Sequence, residues 1–182
     1  MLKKNTKIYV VKSIDYNDKT DFIKFILKKY YNINDYNIFY NKYGKPYIDC
    51  NLYINWSDSK DYLALAISYD EIGIDIEKIR PFPTILIKEL INDKEKYLNN
   101  NYLEVWVQKE AYLKYLGTGI TKKMSNVIID NSKGNNFFYK NNNFILCCFS
   151  DLCIDKDILF FKKNQKGFVL DVDKKIKRTC WE

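Results

Sequence analysis

The sequence predicts a mixed helix-and-strand fold in two successive halves. Three observations carry this. Short apolar or alternating stretches, such as 62–67 and 72–77, have the length and pattern of strands. Two longer stretches, 18–31 and 102–116, space their apolar residues as a helix does. Between them Arg80-Pro-Phe-Pro83 breaks the pattern and divides 1–80 from 81–182. At 182 residues the chain is long enough for one domain or two small ones with a buried core.

The first strand is expected at 7–12, around Ile8 to Val11. The helix at 18–31 sets Phe22, Phe25, Ile26 and Lys29 at helical spacing, with Asp18 and Asp21 near its start, where carboxylates suit the helix dipole. Its other lysines read as a solvated face. Residues 36–40 are strand-like, and Tyr43-Gly-Lys-Pro46 is a turn. Strands at 52–56 and 61–68 are joined by the polar turn Ser57-Asp-Ser-Lys60, and the stretch 72–77 follows. After the Pro-rich break come a short helix at 85–91, a capping signal in Asn92-Asp-Lys-Glu95, and the clearest helix, 102–116, closed by Gly117-Thr-Gly119. The rest reads as short strands at 127–129, 137–139, 144–149, 158–161 and 168–172, with Asn-rich hairpin tips between them.

Hydrophobic content of 47% speaks against disorder as the default. The longest apolar runs, 145–149 and 158–161, are far short of the ~20 residues of a membrane span. The apolar segment 8–11 after the basic start is too short for a signal peptide. A cytoplasmic protein without membrane contact is expected. Net charge is +7, carried by lysines apart from Arg80 and Arg178, which suits an anionic partner. Lysine meets phosphate as a point charge, without the two-pronged grip of arginine. The five cysteines fit no zinc spacing and read as reduced, buried thiols. There is no histidine, so a Ser-His-Asp triad, a Cys-His dyad and histidine metal sites are excluded. A general base must be a carboxylate, lysine, tyrosine or water.

The stretch Ile72-Gly-Ile-Asp-Ile-Glu77 concentrates the chemistry. On a strand, Ile72, Ile74 and Ile76 share one face. Asp75 and Glu77 share the other, roughly 7 Å apart. Either this is a strand with a solvated polar face, or the paired charges are offset by a hard cation such as Mg²⁺. In the helix 102–116, Trp106, Glu110 and Lys114 stack on one face, beside an apolar stripe of Leu103, Val107, Ala111 and Tyr115. Glu110 and Lys114 are either an ordinary surface pair or, with Asp75 and Glu77, a third oxygen ligand and a phosphate-holding cation.

Together, Ile72-Gly-Ile-Asp-Ile-Glu77 and Trp106-Val-Gln-Lys-Glu-Ala-Tyr-Leu-Lys114 resemble the two signature motifs of the Sfp-type 4′-phosphopantetheinyl transferases. Tyr43-Gly-Lys-Pro46 and Asn55-Trp-Ser-Asp-Ser59 resemble that family's upstream segments, and Gly117-Thr-Gly119 its downstream Gly-x-Gly, so the likeness covers about 35–120. The resemblance implies an α+β fold: a pseudo-dimer of two similar halves, each a helix on an antiparallel sheet, with the active site in the cleft between them. It implies Mg²⁺-dependent (or Mn²⁺-dependent) transfer of the phosphopantetheine arm of coenzyme A to a serine of an acyl or peptidyl carrier protein. The pathway served would be nonribosomal peptide, polyketide or fatty acid biosynthesis. Carried over by position, Asp75, Glu77 and Glu110 would hold the metal, and Lys114 the phosphate and leaving group. Lys45 would meet the adenosine phosphate, Ser57 would touch the nucleotide, and Glu95 would take the serine proton. A basic monomer meeting an acidic carrier protein is the expected partnership.

Two departures stand out. Asp58 replaces the family's histidine, and a carboxylate there is expected to point away from phosphate or reach it through water. The N-terminal part is shorter than in larger members, with Lys19, Lys24, Lys28 or Lys29 as possible stand-ins for their basic segment. These departures motivate an alternative, a protein of the same fold with weakened or lost coenzyme A binding. A different class, a single-stranded nucleic-acid binder using lysines and the 16 tyrosines as a stacking surface, is disfavoured because the tyrosines fall in strands as half-buried positions.

Overall fold

The computed structural model describes residues 5–12, 16–92 and 101–171. Strand Lys7–Lys12 (β1) pairs antiparallel with Tyr62–Ser68 (β5), which pairs with Tyr53–Ser59 (β4). Both β1 and β5 are apolar on both faces, the pattern of strands covered on two sides. Ile8 and Val10 of β1, with Tyr62, Ala64 and Ala66 of β5, face inward, and Tyr9, Val11, Leu63, Leu65 and Ile67 face outward. Helix Tyr16–Tyr31 (α1) covers that outer face with Phe22, Ile23, Ile26 and Leu27. The buried stripe is therefore rotated from the expected one. Phe25 is half-buried, and Lys29 is exposed with its ammonium 5.2 Å from the Phe25 ring centroid.

Strand Ile72–Lys78 (β6) starts a second sheet. It pairs antiparallel with Phe144–Ser150 (β8), which pairs with Asn135–Lys140 (β7). Ile72, Ile74 and Ile76 meet Phe144, Leu146 and Cys148, and this face packs on the inner face of the first sheet. Helix Tyr102–Leu116 (α3) covers the opposite face through Leu103, Val107, Ala111 and Tyr115, as the apolar stripe predicts. Its bounds match the sequence reading, and Gly117 caps it in the left-handed conformation at φ 66°. The layers run helix, sheet, sheet, helix. The fold is mixed α+β, and among the described strands pairing is antiparallel except between β1 and Leu159–Asn164 (β9).

Several expectations are corrected. Residues 127–129 form no strand: they follow a 3₁₀ turn, Met124–Asn126, with Val127 buried under α3. The strand β4 runs on through Ser57 and Asp58 to Ser59, so the turn is at Lys60 and Asp61. Polar composition suggests a turn there, but those hydroxyls are consumed by β6, as described below. The strands β9 and Gly167–Leu170 (β10) join β1, giving the order β10-β9-β1-β5-β4. The sheets thus do not follow a division at residue 80, because β6 belongs to the second sheet and β9 and β10 to the first. A small hairpin, Ile38–Tyr40 (β2) with Pro46–Ile48 (β3), stands apart from both sheets. The break at 80–83 leads into a 3₁₀ turn, Thr84–Leu86, and one helical turn, Ile87–Leu90 (α2). The capping signal at 92–95 and residue 172 fall at or beyond the limits of the described residues. Of the described cysteines, all free, Cys147 and Cys148 are buried, where desolvation pushes both thiols up; Cys50 is half-buried and Cys153 exposed. No described helix is long and apolar enough to cross a membrane.

Candidate active site

Gly73 decides how closely α3 can lie on β6. A Cβ built there would sit 2.0 Å from the Tyr115 nitrogen and 2.4 Å from the Ala111 oxygen, both backbone atoms of the helix. Only glycine permits this approach. The contact brings Lys114 and Glu110 down beside the next residue on that face, Asp75. The face that a strand read alone would leave wet is therefore enclosed, and Asp75 is 4% exposed.

The strand β4 runs beside β6 on the other flank, and side chains bridge the two. Asn55 Oδ1 accepts the Ile74 N–H (2.9 Å). Ser57 Oγ donates to Asp75 Oδ1 (2.7 Å), and Ser59 Oγ donates to Glu77 Oε2 (2.7 Å) while accepting the Lys78 N–H (3.1 Å). Alternate residues of β4 thus orient both acidic side chains of β6. Ser57 is buried against Asp75. Asp58, between the two serines, turns outward and pairs with Lys19 of α1 at 3.1 Å.

Lys114 Nζ donates to Asp75 Oδ1 at 2.7 Å. It is not the partner of Glu110 in an ordinary helix-surface pair. Both donors to Asp75 converge on Oδ1, which leaves Oδ2 buried without a hydrogen-bond partner. Burial pushes the Asp75 carboxyl above its usual range, and the Lys114 ammonium, then Ser57, pull against that shift. Glu110 is raised by burial and then by the charge of Asp75, with Lys114 opposing. Glu77 is half-buried, with Arg80 Nη2 3.5 Å from its Oε2. Three acidic side chains therefore lie within electrostatic reach of one another. Among the described residues, no group of three His, Cys, Asp or Glu side chains is drawn close enough to grip an ion. The donor chemistry nevertheless fits a hard divalent cation: carboxylate oxygens only, one of them orphaned and buried.

Glu110 and Lys114 also line a cavity of about 530 Å³. Its other walls come from α1 through Lys19, from the β2–β3 hairpin through Tyr40 and Tyr43, and from β4 through Trp56. Tyr40 and Trp56 meet edge to face at 6.5 Å. Tyr40 is 59% and Tyr43 45% exposed, unlike the half-buried tyrosines expected from the strands. Lys45 reaches the cavity wall, but its ammonium is directed to Glu71 and to the Tyr115 carbonyl oxygen (2.8 Å). Glu95 lies outside the described residues. The structure so brings together Asp75, Glu77, Glu110, Lys114 and Ser57, and sets Asp58 aside. The roles of Asn55 and Ser59 were missed by sequence reasoning, although their two-residue spacing with Ser57 was the signal available.

The cavity is walled by Tyr40, Tyr43 and Trp56 on one part and by Glu110 and Lys114 of α3 on another. Comparison with known proteins narrows the class. Residues 71–160 match the family described as the 4′-phosphopantetheinyl transferase superfamily. The chain is 31% identical over 122 residues to the 4′-phosphopantetheinyl transferase gsp of Aneurinibacillus migulanus, covering 61% of this chain and 52% of that protein. It is 28% identical over 113 residues to the 4′-phosphopantetheinyl transferase ffp of Bacillus subtilis, covering 54% and 50%. A further Bacillus subtilis 4′-phosphopantetheinyl transferase is 29% identical over 91 residues, covering 44% and 41%. The chain thus spans about half the length of the curated relatives it matches. The family resemblance read from the two motifs is borne out by these matches: the chain is similar to 4′-phosphopantetheinyl transferases.

Proposed function

We propose that the chain transfers the 4′-phosphopantetheine arm of coenzyme A to a serine hydroxyl of an acyl or peptidyl carrier protein. The observation that carries this reading is Lys114, which lines the aromatic-walled cavity beside Glu110 and donates to the buried Asp75. The serine oxygen forms a bond to the phosphorus bearing pantetheine. The bond from that phosphorus to the bridging oxygen breaks, and adenosine 3′,5′-bisphosphate leaves. Such transfers depend mainly on positioning and charge neutralisation. Lys114 holds the pyrophosphate side and steadies the charge of the leaving oxygen. Asp75, Glu77 and Glu110 would hold Mg²⁺ or Mn²⁺, which when bound neutralises phosphate charge. Ser57 and Ser59 keep the two β6 carboxylates oriented. Glu95 takes the serine proton. The net charge of +7 favours encounter with an acidic carrier protein. The reading includes a monomeric, cytoplasmic enzyme.

The reading also makes the two halves copies of one unit with the site in the cleft between them. The element order supports it: strand, helix and hairpin recur, and the orders β1-β5-β4 and β6-β8-β7 correspond. Counted from Ser68 and Ser150, Tyr9 pairs three residues back, as Asp75 does, and Val11 pairs five back, as Glu77 does. Only the second copy carries acids at these positions.

Calorimetric titration with coenzyme A tests the reading. Binding with Kd in the micromolar range or below is expected with Mg²⁺, and about tenfold weaker binding or more after chelation. No detectable binding would favour instead a protein of this fold that has lost coenzyme A.

A further inference from the structure

The turn between β2 and β3 is fastened to the end of α3. Asn41 is its hub. Its Oδ1 accepts the N–H groups of Tyr43 (2.9 Å) and Lys45 (3.0 Å), and its Nδ2 donates across the molecule to the Gly117 carbonyl oxygen (2.8 Å). The stem of Lys45 runs over Gly117, where a Cβ would lie 3.1 Å from Lys45 Cδ and 3.2 Å from Asn41 Nδ2. A Cβ on Gly119 would touch Tyr43 at 3.4 Å. The two glycines of Gly117-Thr-Gly119 thus form the seat on which the turn rests.

The Lys45 ammonium is committed within this seat. Its side chain is 3% exposed. It donates to the Tyr115 carbonyl oxygen (2.8 Å) and to Glu71, the residue before β6, and lies 5.8 Å from the Tyr47 ring centroid. The last-turn carbonyls of a helix lack partners within it, and a cation there also suits the helix dipole. Turning Lys45 toward a ligand would leave the Tyr115 oxygen without its donor, a costly change in a buried place.

We infer that Lys45 is a positioning residue and not a contact to the adenosine phosphate. With Asn41 and Glu71 it forms a clasp that holds the hairpin wall, carrying Tyr40 and Tyr43, opposite Lys114 and Glu110. The inference rests on the reading that the cavity takes coenzyme A, and it replaces the role that the family resemblance implies for this lysine.

The test compares wild type, Lys45→Met and Asn41→Ala with coenzyme A and with 3′-dephospho-coenzyme A as donors. Hydrogen exchange at 38–48 and 113–119 is followed in parallel. A clasp predicts that both variants raise KM for both donors about tenfold, with the preference between donors unchanged within about twofold. It also predicts faster exchange at 38–48 in both variants. Asn41→Ala keeps the lysine charge, so it separates loss of the clasp from loss of a phosphate partner, and it serves if Lys45→Met does not fold. The inference is overturned if Lys45→Met erodes the preference for coenzyme A about tenfold or more while exchange stays at the wild-type rate, as loss of a charged hydrogen bond to phosphate would. If wild type transfers from neither donor, the proposed function fails. The clasp is then decided by exchange alone: acceleration in both variants supports it, and unchanged rates overturn it.

Discussion

Gly73→Ala is expected to destabilise the protein by more than about 4 kcal/mol, the exceptional end of single-substitution effects. The added methyl would meet two backbone atoms of α3, at 2.0 and 2.4 Å, so no side-chain rotation relieves it. The helix must lift from β6, and the core of Val107, Ala111, Tyr115, Cys147 and Phe149 would open with it. Domains of this size have total stabilities of about 5–15 kcal/mol, so the variant should be largely unfolded or molten at moderate temperature. Thermal unfolding followed by circular dichroism checks this. A cooperative transition at the wild-type temperature would show that the close approach of α3 to β6 is not a constraint.

Asp75→Asn is expected to behave in the opposite way: transfer activity falls about a thousandfold or more, while the fold is kept. The loss follows from removing a carboxylate that orients Lys114 and would hold the metal, contributions worth several kcal/mol to a transition state. The stability follows from burial. Asp75 is 4% exposed and its carboxyl is raised chiefly by desolvation, so its charge opposes folding. Asparagine keeps the shape and can still accept from Ser57, and Lys114, with a side chain 29% exposed, can be hydrated. Melting at or above the wild-type temperature, together with lost activity, is the expected pair of readings. Retained activity would remove Asp75 from the site. The contrast places the site's cost in one buried carboxylate with an orphaned oxygen.

The parts of this architecture set by local chemistry were legible in the sequence. The two-residue period of 72–77 and the helical stripe with a glycine stop at 117 define β6 and α3, and those two elements carry the acids and Lys114. What was not legible depends on contacts distant along the chain. Ser57, Asp58 and Ser59 have the composition of a turn, yet they extend β4 because Asp75 and Glu77 consume the two serines. The stripe on α1 includes Ile23 and Leu27 because they join a core built from β1, β5 and β9, strands distant from the helix along the chain. The clasp links Asn41 to Gly117 and Lys45 to Glu71, pairings that no local period announces. The family likeness directed Lys45 to the adenosine phosphate, whereas its ammonium is held by Glu71 and the Tyr115 carbonyl oxygen.

The most direct measurement is intact mass of a panel of apo carrier proteins after incubation with this chain, coenzyme A and Mg²⁺. At least one carrier is expected to gain the mass of a phosphopantetheine group on its serine. Labelling should stop on chelation and with the Asp75→Asn protein. An unchanged mass across the panel, or labelling that proceeds equally with Asp75→Asn, would contradict the proposed transfer.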